Sequence, residues 1–363
     1  MMIRLSDIAE ALGVSIGTVD RALHNRSRID PATKQRVLDA AKSMGYQPNL
    51  AARLLASKRR LRVSVNLPET TKDFYDEVRN GIRAEHEALA RFAMDVEFRY
   101  FPRLGVEELE TFENALDSNV DGIIAVFSDP ARAQAQIRRA LRKNIQVVSV
   151  VAGSPLPARI GTISIDPAAS GALAAGLIGN FLKKKGKIVV ETGDLHTWEH
   201  REKVLSFKKT IETLFYELEV LPAIQTHESY DDAYTKTLAI VDRYHDLVAY
   251  YVSTVNSLPV IRALKLRKLL GEITLVTTDV YPKLLPHLRS GAVAATLYQR
   301  PKVQGELALR SMYRLLHDEA SLLDRITLQP HIVMRANLEH FLKQAARGAG
   351  GDDDGFFRRY TRL

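Results

Sequence analysis

LSDIAEALGVSIGTVDRAL, residues 5–23, reads as two short helices and the turn between them. In its first half Ile8, Ala9 and Leu12 share one face at helical spacing, with Ser6 placed to cap that helix. Gly13 stands where a tight turn needs a positive φ. Ser15 then caps a second helix running through Leu23, its hydroxyl within reach of the Thr18 amide. At about 100° per residue, Val19, Ala22 and Leu23 cluster on one side and must face a small core. Gly17 and Arg21 point away from it, and Ile16, Asp20 and His24 lie on the flank between. A third helix is punctuated by Asp30 at its N-cap, Pro31 at its first position and Gly45 at its stop, with Val37, Leu38, Ala41 and Met44 on one stripe. Two helices joined by so short a turn and braced by a third make a helix-turn-helix.

The charge of the chain is concentrated on this segment. Residues 1–62 hold twelve Lys and Arg against five Asp and Glu, which is seven of the net +8 carried by all 363 residues. A basic head on a nearly neutral body suits a polyanion such as double-stranded DNA. QPNLAARLLASKRR follows, in which Asn49 can cap a helix of about eight residues with Leu50, Leu54 and Leu55 on its apolar edge. So short a helix is marginal alone, because nucleation is costly.

From Arg62 onward short apolar runs alternate with amphipathic segments. RVSVNL, DVEFRYF, GIIAVF and QVVSVVA form a first series, with helices expected over 74–92, 106–118 and 131–143. TISID, KIVVETG, LPAIQTH, LVAYYVST, TLVTTD and VAATLYQ form a second, ending in a helix over 301–316. The alternation predicts an α/β body of two doubly wound lobes split near residue 160, each a parallel sheet covered on both faces. Ligands of such sheets bind outside the carboxyl ends of the strands, so two facing sets of strand ends make a cleft. The expected organisation is a head over 1–48, a hinge helix and linker over 49–61, a ligand-binding and dimerisation body over 62–346, and a disordered tail over 347–363.

Several classes fall away. With no cysteine there is neither a disulfide framework nor a thiolate metal site. No metal site, cofactor or catalytic constellation is expected: G-x-S-x-G, H-E-x-x-H, the Walker A motif and G-x-G-x-x-G are all missing, and the histidines are scattered. KKKGK at 183–187 precedes a strand rather than a helix and reads as a solvated loop. MMIRLSDIAEALG carries charges where a signal peptide needs an apolar run, and no membrane span is expected, which argues for a cytoplasmic protein.

The head resembles the lac-repressor (LacI/GalR) family of transcription regulators. LSDIAEALGVSIGTVDRAL is similar to that family's opening motif, SRIDPATKQRVLDAAKSMGYQPN to its third helix, and NLAARLLAS to its hinge helix. The body resembles the periplasmic sugar-binding proteins, through weaker motifs. Carried over by position, the resemblance implies that Ile16 and Gly17 read base edges, and that Thr18 and Arg21 contact phosphates or bases. Leu55 would wedge into a central minor-groove step with Ala52 on the groove floor, and Ser15, Asp20 and Asn25 complete the expected DNA-contacting set. A recognition helix does present its N-terminal residues to the major groove, and apolar wedges do kink a duplex.

Asp20 departs from the family, which usually has serine there. Three roles are open: orienting Arg21, Arg26 or His24 toward phosphates, which ranks first; accepting from a cytosine amino group; or standing as a solvated acid amid positive charge.

For the cleft, the resemblance points to Phe74, Tyr75, Asp129, Arg201, Tyr230, Asn256, Asp279 and Gln299 as effector contacts, with Trp198 a further stacking platform and Ser128 an alternative to Asp129. Lys203 occupies another place often held by arginine. Aromatic faces over C–H surface, with Asp, Asn, Arg and Gln around them, suit a sugar or polyol. The expectation is a homodimeric, effector-responsive regulator, a repressor by default, that binds a pseudo-palindromic operator and whose cleft allosterically controls it. A sugar-transport binding protein is the alternative, disfavoured because it needs export.

Overall fold

A computed structural model describes residues 5–23, 29–44, 60–89, 94–151, 160–182, 185–317 and 325–346. The chain forms two compact units, residues 1–59 and 60–363. The hinge helix over 49–61, except its last two residues, and the tail over 347–363 lie outside the described residues, as do Asn25, Ala52 and Leu55.

In the first unit α1 (Leu5–Leu12), α2 (Ile16–Leu23) and α3 (Pro31–Ser43) pack round Ile8, Ala9, Val19, Ala22, Val37 and Ala41, all buried. Gly13 takes φ 63° at the turn, and the Val14 amide donates to the Ala9 carbonyl at 3.0 Å. Ser6 departs from expectation. It lies inside α1 rather than before it, and its hydroxyl donates to Asp7 Oδ1 at 3.2 Å. Asp30 caps α3 as its position suggests, accepting from the Thr33 amide at 2.9 Å.

The second unit begins with β1 (Leu61–Pro68), α4 (Lys72–Ala88), β2 (Met94–Phe101), α5 (Glu108–Leu116), β3 (Gly122–Ala125), α6 (Pro130–Arg142), β4 (Gln146–Val151) and β5 (Gly161–Ile165). A second lobe follows with α7 (Pro167–Phe181), β6 (Gly186–Thr192), α8 (Trp198–Leu214), β7 (Leu218–Val220), β8 (Ile224–Gln225) and α9 (Tyr230–Arg243). It continues with β9 (Leu247–Val252), α10 (Ser257–Leu266), β10 (Thr274–Thr278), a 3-10 turn at Pro282–Leu284, α11 (Leu285–Ser290) and β11 (Ala295–Tyr298). The chain then returns to the first lobe for α12 (Pro301–His317) and β12 (Arg325–Leu328), and ends on the second with β13 (His331–Val333) and α13 (Leu338–Ala346).

The first sheet runs β12-β5-β4-β3-β1-β2 and is parallel throughout. The second runs β13-β11-β10-β9-β6-β7, with β8 also on β6, and only β13 is antiparallel. Strands such as β4, β5 and β9 are buried along almost their whole length, as parallel strands covered on both faces must be.

Two expectations are corrected. TISID does not open the second lobe: it is β5, in register with β4 of the first sheet from Gly161 opposite Val148. The helix over 301–317 belongs to the first lobe as well, where α12 packs on α4 and β4. Gly81 and Gly305 allow that approach, since a Cβ on either would overlap the opposing backbone at Lys302 or Val78. The connection between lobes is thus made three times, near 166, 299 and 329, rather than once. LPAIQTH also proves to hold only the two-residue β8; β7 ends just before it at Val220, and Pro222 between the two lacks the amide a longer ladder requires.

Candidate functional site

The surface of α2 is organised from its first turn. Ser15 Oγ accepts from the Thr18 amide at 3.1 Å and lies 2.9 Å from Thr18 Oγ1, to which Arg21 Nη2 donates at 3.4 Å. Ser15, Thr18 and Arg21 therefore form a line of hydrogen bonds along one side of the helix. Ile16 is 53% exposed although it is a large apolar residue, and Gly17 beside it is exposed as well. A Cβ at Gly17 would sit 3.6 Å from Arg21 Nη1, so the glycine leaves the backbone open next to the guanidinium. Asp20 is partly exposed on the same helix, between the buried Val19 and the partly exposed Arg21.

In the second unit a cavity opens where the carboxyl ends of both sheets meet. Thr71, Phe74 and Tyr75 reach it from the segment after β1, Leu104 from beyond β2 and Val151 from the end of β4. The opposite wall is Glu199, His200 and Lys203 of α8, Glu228 after β8, Ser253–Val255 after β9, Asp279 after β10 and Gln299 after β11. This is the location that parallel-sheet topology dictates for a ligand. Phe74 and Tyr75 meet edge to face with centroids 5.0 Å apart. Non-glycine residues with positive φ gather here, at Thr71 (57°), Val151 (72°), Glu228 (59°) and Asp279 (66°). Such backbone is costly, above all for β-branched valine, and persists where the surroundings enforce it. The amide of Trp198 donates to the Ser128 carbonyl at 2.9 Å, a backbone bond that ties the second lobe to the first.

The polar groups are closely interlocked. Lys203 Nζ, 2% exposed, lies 2.6 Å from Glu199 Oε1 and donates to Gln299 Oε1 at 2.8 Å and to the Ser253 carbonyl at 3.4 Å. Burial would lower the pKa of this amine, but the Glu199 carboxylate holds it above the ordinary lysine value. Burial likewise favours the neutral form of Glu199, and Lys203 prevails in holding it below the ordinary range. Asp279 accepts from the Gln299 amide at 2.8 Å and from its Nε2 at 2.7 Å. Burial nevertheless pushes the Asp279 carboxyl up to about 6. Glu228 is pushed up to about 7, by burial first and then against Lys203, which favours its charged form. His200 is buried and held below the usual histidine value, so its ring is neutral; Nδ1 accepts from the Asp194 amide at 3.1 Å and the proton sits on Nε2, 3.8 Å from Glu228 Oε1.

Of the residues expected to meet an effector, Phe74, Tyr75, Asp279 and Gln299 line this cavity. Tyr230 and Asn256 line an adjoining recess with Lys72, Asp73, Tyr281 and Lys283, which shares Thr71, Glu228 and Val255 with the main cavity. Two expectations are displaced. Asp129 caps α6, accepting from the Ala131 amide at 2.9 Å, and is absent from the cavity wall; the neighbouring Ser128 donates its hydroxyl to Glu108 at 2.6 Å. Arg201 points outward, with 45% of its side chain exposed beside Glu202, and Lys203 takes the inward place two residues on. Trp198 is partly buried and outside the cavity lining. Glu199, His200, Glu228, Ser253 and Thr254 were not foreseen. The strand-end rule was a usable signal for Ser253 and Thr254, whereas nothing local distinguishes Glu228.

Comparison with known proteins agrees with both units. The sequence profile of the bacterial regulatory proteins of the lacI family matches residues 4–49, and that of the periplasmic binding protein domain matches residues 63–320. The HTH-type transcriptional regulator DegA of Bacillus subtilis is 24% identical over 340 residues, 92% of this chain and 98% of that protein. Catabolite control protein A of Priestia megaterium is 28% identical over 46% of this chain, and the match spans 48% of its own length. The HTH-type transcriptional regulator RegA of Clostridium saccharobutylicum reaches 40% identity over 81 residues, 22% of this chain and 24% of its own. Among solved structures, GanP, a glucose-galactose binding protein from Geobacillus stearothermophilus, superposes with a TM-score of 0.70 at 21% identity over 77% of this chain and 99% of that one. A solute binding protein from Burkholderia graminis in complex with D-arabinose gives 0.71 at 19% identity over 78% and 98%. These two likenesses establish the fold of the body. With an amino-terminal helix-turn-helix that fits one profile and a two-lobed body that fits the other, the chain belongs to the lacI family of bacterial regulatory proteins and carries a periplasmic binding protein domain.

Proposed function

We propose that this protein is an effector-responsive DNA-binding transcription regulator whose operator affinity is set by a sugar or polyol bound in the cleft of its body. The observation that carries the reading is the pairing, in one chain, of a capped helix presenting Ile16, Gly17 and Arg21 with a cavity at the carboxyl ends of two parallel sheets. On this reading Ile16 and Gly17 meet base edges, Thr18 and Arg21 position the helix on phosphates, and Asn25, Ala52 and Leu55 add contacts from outside the described residues. The protein acts as a homodimer on a pseudo-palindromic site, since one short helix reads only a half-site. Effector binding works by favouring one arrangement of the lobes over another, and the Trp198–Ser128 bond is one contact that such a change would make or break. A differential affinity worth about 1–3 kcal/mol changes operator binding roughly 5- to 150-fold. Repression relieved by the effector is the direction we propose.

The test is operator binding as a function of salt. A head that neutralises about 6–10 phosphates gives a log–log slope of about −5 to −9, and a flat response overturns the reading. Sedimentation of the same complex, expected to hold two chains per duplex, checks the dimer. Among the described residues no helix is long and apolar enough to cross a membrane.

A further inference from the structure

The hydrogen-bond inventory of the cleft constrains its ligand more tightly than the word sugar does. An ammonium has three N–H groups, and those of Lys203 are met by Glu199, Gln299 and the Ser253 carbonyl. Lys203 is also the one Lys or Arg among the described residues lining the cavity. Gln299 gives one of its two Nε2–H groups and its backbone N–H to Asp279 and its amide oxygen to Lys203. His200 is neutral, and its single N–H faces Glu228. Most of the firm donors of the wall are thus engaged by the protein, leaving one Nε2–H of Gln299 and the Nε2–H of His200.

The acceptors are not. A carboxylate offers about four lone-pair directions, and Asp279 has two filled by Gln299. Glu228 has the Thr254 hydroxyl and, 3.8 Å away, the His200 ring beside it, while Lys203, the cation acting on it, is bonded to Glu199, Gln299 and the Ser253 carbonyl instead. Glu199 is paired with Lys203, whereas Glu228 and Asp279 have no such pair, and burial raises both, so a cation brought against them would favour their charged forms. Ser253 Oγ adds a hydroxyl that is fully buried and has no partner. The cations of the adjoining recess, Lys72 and Lys283, are exposed to solvent and stand with Asp73. A buried carboxylate without a cation is expensive, and a ligand that supplies the cation removes that cost.

We infer that the cleft takes a polyhydroxylated ligand bearing a basic nitrogen, an amino sugar or amino polyol, with its ammonium held by Glu228 and Asp279 and a hydroxyl on Ser253. Phe74 and Tyr75 cover the apolar face of the ring. Uronic acids and sugar phosphates fit less well, because among the described lining residues the one Lys or Arg, Lys203, already has three partners. This rests on the reading of the cleft as an effector site for sugars or polyols.

The experiment is calorimetric titration of the full chain at pH 7.5 with matched series: glucose, glucosamine, N-acetylglucosamine and glucuronate; the galactose equivalents; and myo-inositol with its monoamino analogue. Within at least one series the amine should bind about tenfold or more tightly than its neutral partner, the gain of a charge-assisted hydrogen bond. Acetylation, which removes the charge, should abolish that gain, and the acid should bind more weakly than the amine. In E228Q the amine preference should fall to near unity, with the thermal midpoint of the free protein confirming that the variant is folded. If the neutral or acidic member binds as tightly as the amine, or E228Q keeps the preference, the inference fails while the sugar site stands. If no member of any series binds, both fail. The N-acetyl comparison decides the matter on the unaltered protein if E228Q does not fold.

Discussion

Lys203 Nζ lies 2.6 Å from Glu199 Oε1, one helical turn earlier on α8, and the two side chains are only 2% and 8% exposed. The pair closes the floor of the cleft while keeping both charges on the protein. Its worth is asymmetric: the intact pair adds little net stability, but removing one partner strands the other in a poorly solvated place. Lys203→Met should therefore cost about 3–5 kcal/mol of unfolding free energy, and Lys203→Met with Glu199→Gln should recover most of it. Denaturant midpoints of the wild type, the single and the double variant measure this. A single variant as stable as the wild type would mean that the cavity is wetter than its packing implies.

Glu191 supplies a pH dependence of definite sign. It is fully buried at the end of β6 behind the cleft, accepts from the Tyr250 hydroxyl at 2.8 Å, and has a second oxygen without a partner. Burial pushes it from 4.5 up to about 8, against the hydrogen bonds of Tyr250 and Thr237 and the more distant charge of Lys236, while Glu228 adds to the rise. The folded protein thus holds a proton that the unfolded chain releases. The stability this group contributes is fully present below pH 4.5 and is lost as pH rises toward 8. Glu191→Gln, which stays neutral, should flatten the fall between pH 5 and 8.5 by an amount on the order of 2–4 kcal/mol. Urea unfolding at the two pH values tests it, and parallel slopes for both proteins would refute it.

Glycines on α4, α7 and α12 set the positions of the helices that carry the cleft residues. A Cβ at Gly171 would overlap the carbonyl oxygen of Lys203 itself, so α7 rests directly on the backbone of the cavity floor. Gly171→Ala should destabilise by about 1–3 kcal/mol and weaken effector binding, because the strain is relieved by moving Lys203. Gly176, on the same helix, has nothing within 4 Å of the equivalent position. Gly176→Ala should be neutral or stabilising by about 0.5–1 kcal/mol, since alanine is the better helix former. Thermal midpoints separate the two, and equal responses would mean that the close contact carries no load.

The same glycines show where reading the sequence stops. The alternation of apolar runs and amphipathic helices is a local property, and it gives the α/β class, the strands and most helix positions. Which sheet a strand joins is not local: TISID has the pattern of either lobe, and only its ladder to β4 places it in the first. In the cleft, Phe74, Asp279 and Gln299 were legible because strand ends are predictable positions. Arg201 and Lys203 were not separable by spacing, because both lie on the first two turns of α8 and only packing against α7 decides which turns inward. Glu228 sits in a left-handed turn beyond a two-residue strand, at φ 59°, and carries no periodic signal at all.

The head offers a test of how its polar line works. Ser15, Thr18 and Arg21 are joined in sequence by hydrogen bonds of 2.9 and 3.4 Å, so the guanidinium is held by the cap rather than left free. Ser15→Ala should remove the cap at a cost of about 1 kcal/mol and release Thr18 and Arg21 together. Arg21→Ala should weaken binding to all duplexes alike and reduce the salt slope by about one, the mark of a phosphate contact. Ile16→Ala should instead change the order of preferred sequences, because the exposed side chain can meet base edges. Asp20 decides between positioning and reading. If its carboxylate orients nearby cations, Asp20→Ser lowers affinity for every site by a similar factor; if it accepts from a cytosine amino group, the penalty falls on one base pair and a different base is preferred there. We expect the uniform loss, since Asp20 lies on the flank of α2 next to Arg21 rather than at its exposed N-terminal turn. Selection from a randomised duplex pool with the wild type and the serine variant reads the difference directly, and a base switch at one position would assign Asp20 to direct readout.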